Sequence, residues 1–211
     1  MDLSDLRRDY GEKHPEKLNW PSDPYQLFSS WLNEAVNFPI TDANAMVLST
    51  STTSGKPSSR VVLLKKYEKG EGFIFFSDYE SQKGKEIEIN PQGALLFYWN
   101  VLEKQIRIEG RIKKLETELS DIYFNSRPIE SKLSTIVSRQ SQPIKTLDNL
   151  INMKEELRNS KEELVRPGRW GGYILTPDKF EFWLGGPNRF NHRIEYSKDK
   201  NSNWKKQLLA P

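Results

Sequence analysis

Leu27, Phe28, Trp31, Leu32, Ala35 and Val36 recur at intervals of three and four, which predicts a helix with one apolar stripe. Asp23-Pro24 supplies its start, a capping carboxylate before proline at the first helical position, and Pro39 lies just past its end. Residues 1–22 are polar and charged with no sustained period; they read as an arm that orders on contact with something. Across residues 44–115 the pattern changes to short apolar runs between turns: Ala45 to Leu48, Arg60 to Lys65 and Phe73 to Phe76. The turns are Thr53-Ser54-Gly55-Lys56-Pro57 and Lys69-Gly70. Ser81 to Ile89 reads as a short polar helix ending before Asn90-Pro91. Ala94 to Trp99 and Gln105 to Gly110 predict a hairpin around Glu103-Lys104. In its second strand Gln105, Arg107 and Glu109 share one face and Ile106 and Ile108 the other.

Residues 116–164 return to helical spacing, through Leu119, Ile122 and Tyr123, then Ile129, Leu133, Ile136 and Val137, then Leu147, Leu150, Ile151 and Leu157. The tail resumes as strands at Gly172 to Leu175, Phe180 to Trp183, Arg193 to Tyr196 and Trp204 to Leu208. Strands, a helical insert and more strands predict a mainly β, α+β fold. The expected form is an antiparallel barrel or half-barrel with helices packed outside. The expected domain is residues 23–211, with the insert 116–164 inside it.

Composition narrows the chemistry. The chain has 211 residues, and its 6 Trp, 8 Tyr and 10 Phe can supply a core. With 32 basic against 29 acidic residues the net charge is only +3, which argues against a nucleic-acid partner. Zero cysteines exclude a thiol nucleophile, a disulfide and an iron–sulfur cluster; two histidines, His14 and His192, exclude a multi-histidine metal site. No metal is expected. No apolar run reaches the ~18 residues of a membrane span, and the opening Met1-Asp2-Leu3-Ser4-Asp5 lacks the features of a signal peptide. The expectation is a cytoplasmic protein with no membrane partner. Redox chemistry here would need a borrowed cofactor, and neither a Rossmann fingerprint nor a P-loop is visible.

Three constellations carry candidate chemistry. Arg60, Lys65 and Lys83 could together hold a phosphate through charge-assisted bonds, although Arg60 and Lys65 differ in strand parity. Tyr123, Arg127 and Ser131 are spaced by four, with Pro128 breaking the helix beside Arg127 and leaving a fresh helix start suited to an anion. Trp183 to Arg193 combines a tryptophan, two glycines, arginines four apart and His192, an unusual turn for a mere connection. On spacing alone each also reads as ordinary solvated charges, caps and loop, and His192 receives no role.

The chain resembles the pyridoxine/pyridoxamine 5′-phosphate oxidases, FMN enzymes of vitamin B6 metabolism. The resemblance runs nearly end to end. It rests on Leu6-Arg7-Arg8-Asp9-Tyr10, Asp23-Pro24, Arg60 to Lys65, Ser81-Gln82-Lys83, Tyr123 to Pro128 and Ser138-Arg139-Gln140-Ser141. It continues through Trp170-Gly171-Gly172, Phe182-Trp183, Gly185-Gly186, Arg189, Arg193 and the final Leu209-Ala210-Pro211. What it implies is an FMN-binding split barrel acting as a homodimer, with each site built from both subunits. It implies FMN contacts at Arg60, Val61, Val62, Leu63, Leu64, Lys65, Phe76, Ser77, Gln82, Lys83, Gln105, Gln140, Ser141, Trp183 and Arg193. It implies substrate-phosphate contacts at Lys65, Tyr123, Arg127 and Ser131, and a flap formed by Arg7, Arg8, Asp9 and Tyr10. Arg189, Phe190 and Asn191 would lie over the pyridine ring, with Arg189 and Asn191 orienting the reacting end. The implied reaction oxidises pyridoxamine or pyridoxine 5′-phosphate to pyridoxal 5′-phosphate, with dioxygen giving hydrogen peroxide. The alternatives are another split-barrel FMN oxidoreductase, or a non-catalytic carrier of FMN or pyridoxal phosphate. Three positions depart from the family pattern: Gln82 and Leu208 stand where arginine is usual, and Asn191 where histidine is usual. Loss of a cation at Gln82 leads to the expectation that Gln82→Arg tightens FMN binding.

Overall fold

The computed structural model describes residues 1–5, 10, 20–160 and 162–211. Helix α1 (Pro24–Asn37) starts where the sequence predicts, with Asp23 Oδ1 accepting the Tyr25 N–H at 3.0 Å. Its buried face is Tyr25, Leu27, Phe28, Trp31 and Ala35. Val36 falls off the expected stripe and is exposed, because one step of about 100° past Ala35 turns it away from the core.

Strands β1 (Ala45–Ser51), β2 (Pro57–Leu63), β3 (Lys66–Glu68), β4 (Gly72–Asp78), β5 (Gln92–Trp99) and β6 (Lys104–Lys114) precede the helical insert. Strands β7 (Trp170–Leu184), β8 (His192–Lys198) and β9 (Trp204–Leu209) follow it. They form a nine-stranded sheet in the order β2-β1-β5-β6-β7-β4-β3, with β8 pairing β7 and β9. Each pairing is antiparallel. The fold is the split barrel, a sheet curled around an aromatic core. Residues 172–175 and 180–183 belong to one continuous strand, because the Pro177 that seems to interrupt them sits at a bulge. The register with β6 shifts between Glu109 and Gly110 there, leaving Asp178 without an opposite number. The 3-residue β3 is too short and polar to show a period in the sequence.

The core joins the inner face of the sheet to α1. Phe28 lies edge-on to Phe73 at 4.9 Å and to Phe97 at 5.3 Å, while Tyr25 and Phe180 close the other side of Phe73. Tyr196 reaches Pro21 O at 2.8 Å and ties the residues just before α1 to β8.

The insert is three helices, α3 (Thr117–Ser126), α4 (Ile129–Val137) and α5 (Leu147–Ser160). Of the apolar positions that set their spacing, only Leu133 is fully buried. Leu119, Ile122, Ile129, Leu147 and Ile151 are exposed, whereas Ser120, Phe124 and Leu133 face inward. Ser120 is drawn in because its Oγ accepts the Gly172 N–H at 3.0 Å. Helix α5 buries no residue in the single chain and is tied to α4 by Lys154 and Arg158, both on Glu130. Among the described residues no helix is long and apolar enough to cross a membrane.

Candidate active site

A cavity of about 1060 Å³ opens between β2, β4, helix α2 (Gln82–Ile89), the α3–α4 junction and residues 138–141. Arg60 and Lys65 both line it despite their opposite parity. The strand ends at Leu63; Leu64 N–H then bonds Asn44 O and Lys65 N–H bonds Ile74 O, so the chain crosses to another strand partner and alternation is broken. Leu64 itself points into the core, 5% exposed, so its side chain is not a wall of the cavity.

Lys83 is set by the start of α2. Ser81 caps the helix by accepting the Gly84 N–H, and Gly84 packs so closely on Tyr79 that a Cβ would lie 2.1 Å from Tyr79 O. This buries Lys83, whose Nζ donates to Gln140 Oε1 at 2.7 Å and Ser81 Oγ at 3.3 Å. Gln140 Oε1 also accepts from Ser77 Oγ at 3.1 Å, which places three of the expected FMN contacts in one network. Burial, and then the charge of Arg60, push the Lys83 ammonium down to about 8. Arg60 Nη1 donates to Thr50 Oγ1 at 2.5 Å and Leu48 O at 3.3 Å, while Nη2 donates to Ser58 Oγ at 2.5 Å and lies 3.4 Å from Glu86 Oε2. Burial alone would raise the Glu86 carboxyl, but hydrogen bonds from Ser58, Thr50 and Gln82, with the charge of Arg60, hold it down to about 2.

The other wall is aromatic and cationic. Tyr123 stacks on Phe76 with centroids 3.8 Å apart, and Trp170 continues the stack at 5.5 Å from Phe76. Arg127 ends α3 as its C-cap, Pro128 follows, and α4 begins at Ile129, which is the break the sequence predicts. The guanidinium lies over the Trp170 ring at 4.7 Å and donates to Thr135 Oγ1 at 2.7 Å; burial lowers its pKa. Ser131 and Ser141 also line the cavity, as do Val61, Val62, Leu63 and Gln82.

The remaining expected site residues lie elsewhere in the same chain. Gln105, Trp183 and Arg193 are directly opposite one another across β6, β7 and β8 and form a row on one face. Arg193 is held there by Glu181 at 2.9 Å and by Ala210 O at 2.9 Å. Beyond the row, Asn188 and Arg189 both take positive φ, +52° and +64°, conformations that cost energy outside glycine. Phe190 is exposed, and Asn191 Oδ1 accepts the Gly186 N–H at 3.2 Å. Tyr10 packs against Trp183. None of these lines the cavity, so one chain carries two separate halves of the expected site. Arg7, Arg8 and Asp9 lie outside the described residues.

The cavity also uses residues that the sequence did not single out, including Ser58, Asp78, Thr135 and Lys154. Ser58 had a usable signal, two residues from Arg60 on the same strand face. Thr135 and Lys154 had none, since only the folding of α4 and α5 across the cavity brings them in. The donors fit FMN: Arg60 and Lys83, two cations near enough to repel one another, suit a phosphate dianion, and the cavity has room for a ring system beside an aromatic wall.

Comparison with known proteins shows the family. Residues 32–156 match the family described as pyridoxamine 5′-phosphate oxidase, and residues 170–211 match the pyridoxine 5′-phosphate oxidase C-terminal dimerisation region. The pyridoxine/pyridoxamine 5′-phosphate oxidase of Bordetella pertussis is 44% identical over 212 residues, covering 100% of both chains. That of Legionella pneumophila (strain Lens) is 45% identical over 214 residues, covering 99% of this chain and 97% of the relative. Among solved structures, PhzG from Burkholderia lata, in complex with tetrahydrophenazine-1-carboxylic acid, superposes with a TM-score of 0.88 at 31% identity, covering 94% of this chain and 98% of that one. A pyridoxamine 5′-phosphate oxidase-related, FMN binding protein from Nostoc punctiforme shares the fold, with a TM-score of 0.73 at 15% identity over 92% of this chain and 100% of that one. The chain belongs to the pyridoxamine 5′-phosphate oxidase family, FMN-dependent oxidases that carry a C-terminal dimerisation region.

Proposed function

We propose that the protein oxidises pyridoxine 5′-phosphate or pyridoxamine 5′-phosphate to pyridoxal 5′-phosphate, with dioxygen reduced to hydrogen peroxide; with the amine substrate, water hydrolyses the resulting imine and the nitrogen leaves as ammonia. The observation that carries this is the presence of two cationic groups in one cavity: Arg60 with Lys83, and Lys65 with Arg127, Tyr123 and Ser131. The first suits the phosphate of FMN and the second the phosphate of the substrate. Bound FMN supplies acceptance of a hydride and its passage to dioxygen.

The protein's own part is binding and orientation. Lys65, Arg127, Tyr123 and Ser131 would anchor the substrate phosphate, which fixes the ring at the far end of the molecule; an error of ~1 Å there can cost ~100-fold in rate. Arg127 is preset by Trp170 beneath it and Thr135 beside it, so little ordering remains on binding. Gln105, Trp183, Arg193, Arg189 and Asn191 would complete the site from a second copy, since they form a coherent face away from the cavity of their own chain. The homodimer expected from residues 170–211 makes that pairing available. Asn191 spends its oxygen on Gly186, so the group it would offer a substrate is its NH₂, a donor. Asparagine there can orient a substrate but cannot exchange a proton near neutrality.

Anaerobic mixing of the FMN-loaded protein with pyridoxamine 5′-phosphate should bleach the flavin, and air should restore it with release of peroxide. Flavin that stays oxidised would reject the reading in favour of a carrier. The likeness to PhzG motivates a second reading, an anionic aromatic substrate bearing a carboxylate. Unphosphorylated pyridoxamine separates the two, because a phosphate-anchored site turns it over far more slowly than its phosphate ester.

A further inference from the structure

Glu86 stands behind the cofactor end of the cavity and takes no part in the reaction proposed above. It is 6% exposed and does not line the cavity, yet its carboxylate receives hydrogen bonds from three residues that do. Ser58 Oγ donates to it at 2.6 Å, Gln82 Nε2 at 2.9 Å and Arg60 Nη2 at 3.4 Å, with Thr50 Oγ1 a fourth donor. We propose that Glu86 is a built-in counter-ion of the cofactor-phosphate site, fixing Arg60, Ser58 and Gln82 while its charge lowers the affinity of that site for a phosphate dianion. This rests on the assignment of Arg60 and Lys83 to the FMN phosphate.

The charges around the site support this. Arg60 and Lys83 are the cations, and Asp78, also buried, is matched by Arg169 at 3.4 Å. Glu86 therefore cancels about one of the two positive charges that would meet the phosphate. Its position on α2, four residues from Gln82, also changes the expectation for that residue. A guanidinium at position 82 would find the Glu86 carboxylate one helical turn away and pair with it. Gln82→Arg alone should thus alter FMN affinity by less than about threefold, the range of a modest ion pair.

The test is flavin fluorescence quenching at pH 7 with FMN and, separately, riboflavin, which lacks the phosphate. Glu86→Gln keeps the size and the acceptor oxygen but removes the charge. It should bind FMN about tenfold more tightly and riboflavin as the parent protein does. Glu86→Ala, which also frees Arg60, should bind FMN more weakly than Glu86→Gln. FMN affinity that is unchanged or weaker in Glu86→Gln would overturn the proposal, as would a tenfold gain from Gln82→Arg alone. Gln82→Arg leaves the buried carboxylate in place, so that arm stands even if Glu86→Gln fails to fold. Arg60→Ala keeps the two assignments apart. If it does not weaken FMN relative to riboflavin, the phosphate assignment itself fails. If it does and Glu86→Gln still fails to tighten binding, only the role of Glu86 falls.

Discussion

Tyr10 meets Trp183 edge to face, with ring centroids 5.5 Å apart and planes at 81°. The contact depends on Gly185, since a Cβ there would lie 2.7 Å from the Tyr10 ring. Tyr10 of the amino-terminal arm is thereby placed against Trp183 and Gly185, at the start of the segment that leads to Arg189 and Asn191. Gly185→Ala should displace Tyr10 and raise KM for pyridoxamine 5′-phosphate about tenfold, while leaving FMN affinity unchanged. Steady-state kinetics and flavin titration read the two effects separately. Equal loss of both would make the contact a structural one.

If each site joins the cavity of one copy to the β6–β7–β8 face of another, two inactive variants should rescue each other. Arg127→Ala damages the cavity half and Arg189→Ala the other. Mixed, dissociated and reassociated, they form heterodimers in which one of two sites is intact, restoring about a quarter of full activity. No recovery despite verified subunit exchange would place both residues in the same half.

Lys83 gives FMN binding a pH dependence of defined sign. Its ammonium in the folded protein is pushed down to about 8 from an ordinary 10.5, so the phosphate loses a cationic partner as pH rises through 8. FMN affinity should therefore fall above pH 8, and Lys83→Met should bind more weakly with the inflection gone. Stability without flavin should move the other way. Between pH 8 and 10.5 the unfolded chain holds the extra proton, so unfolding becomes harder as pH rises across that window. Denaturant titration at pH 7.5 and 9.5 would show it, and a constant midpoint would contradict it.

Arg189 and Asn191 should differ sharply from their neighbour. His192 begins β8 opposite Leu184, whereas Asn191 lies before the strand with its side chain on the Gly186 N–H. Arg189→Ala should cost far more in kcat than His192→Ala. Asn191→His should change the rate modestly and introduce a pH dependence near ~6.5 that the parent enzyme lacks. Asn191→Ala should be worse, because it also strands the Gly186 N–H. A pH–rate profile for each variant decides the point.

Phe28 is fully buried among Phe73, Phe97 and Tyr67. Phe28→Ala should destabilise the protein by about 3–5 kcal/mol, read as a lower denaturation midpoint.

Much of the site was legible because motifs report local backbone. The Asp23-Pro24 cap and the Pro128 break beside Arg127 are decided within a few residues, and each is where the sequence puts it; the short helix read from Ser81 is there too, with Ser81 as its cap. Burial in the helical insert was not legible in the same way. Leu119 and Ile122 look like a core stripe, yet Ser120 and Phe124 turn inward, because the direction a helix faces depends on the surface that receives it.

The residues themselves determined most of the strands, the starts of α1 and α4 and the chemical types at the site, since periodicity, caps and turn residues act over one or two turns of chain. Only the tertiary structure decided that Arg60 and Lys65 share a cavity despite their parity, and that Glu86 stands behind Arg60. It also separated Gln105, Trp183 and Arg193 onto another face. Those relations depend on strand order, register and the point where β2 ends. They are fixed by packing between segments far apart in the chain, which no local pattern encodes.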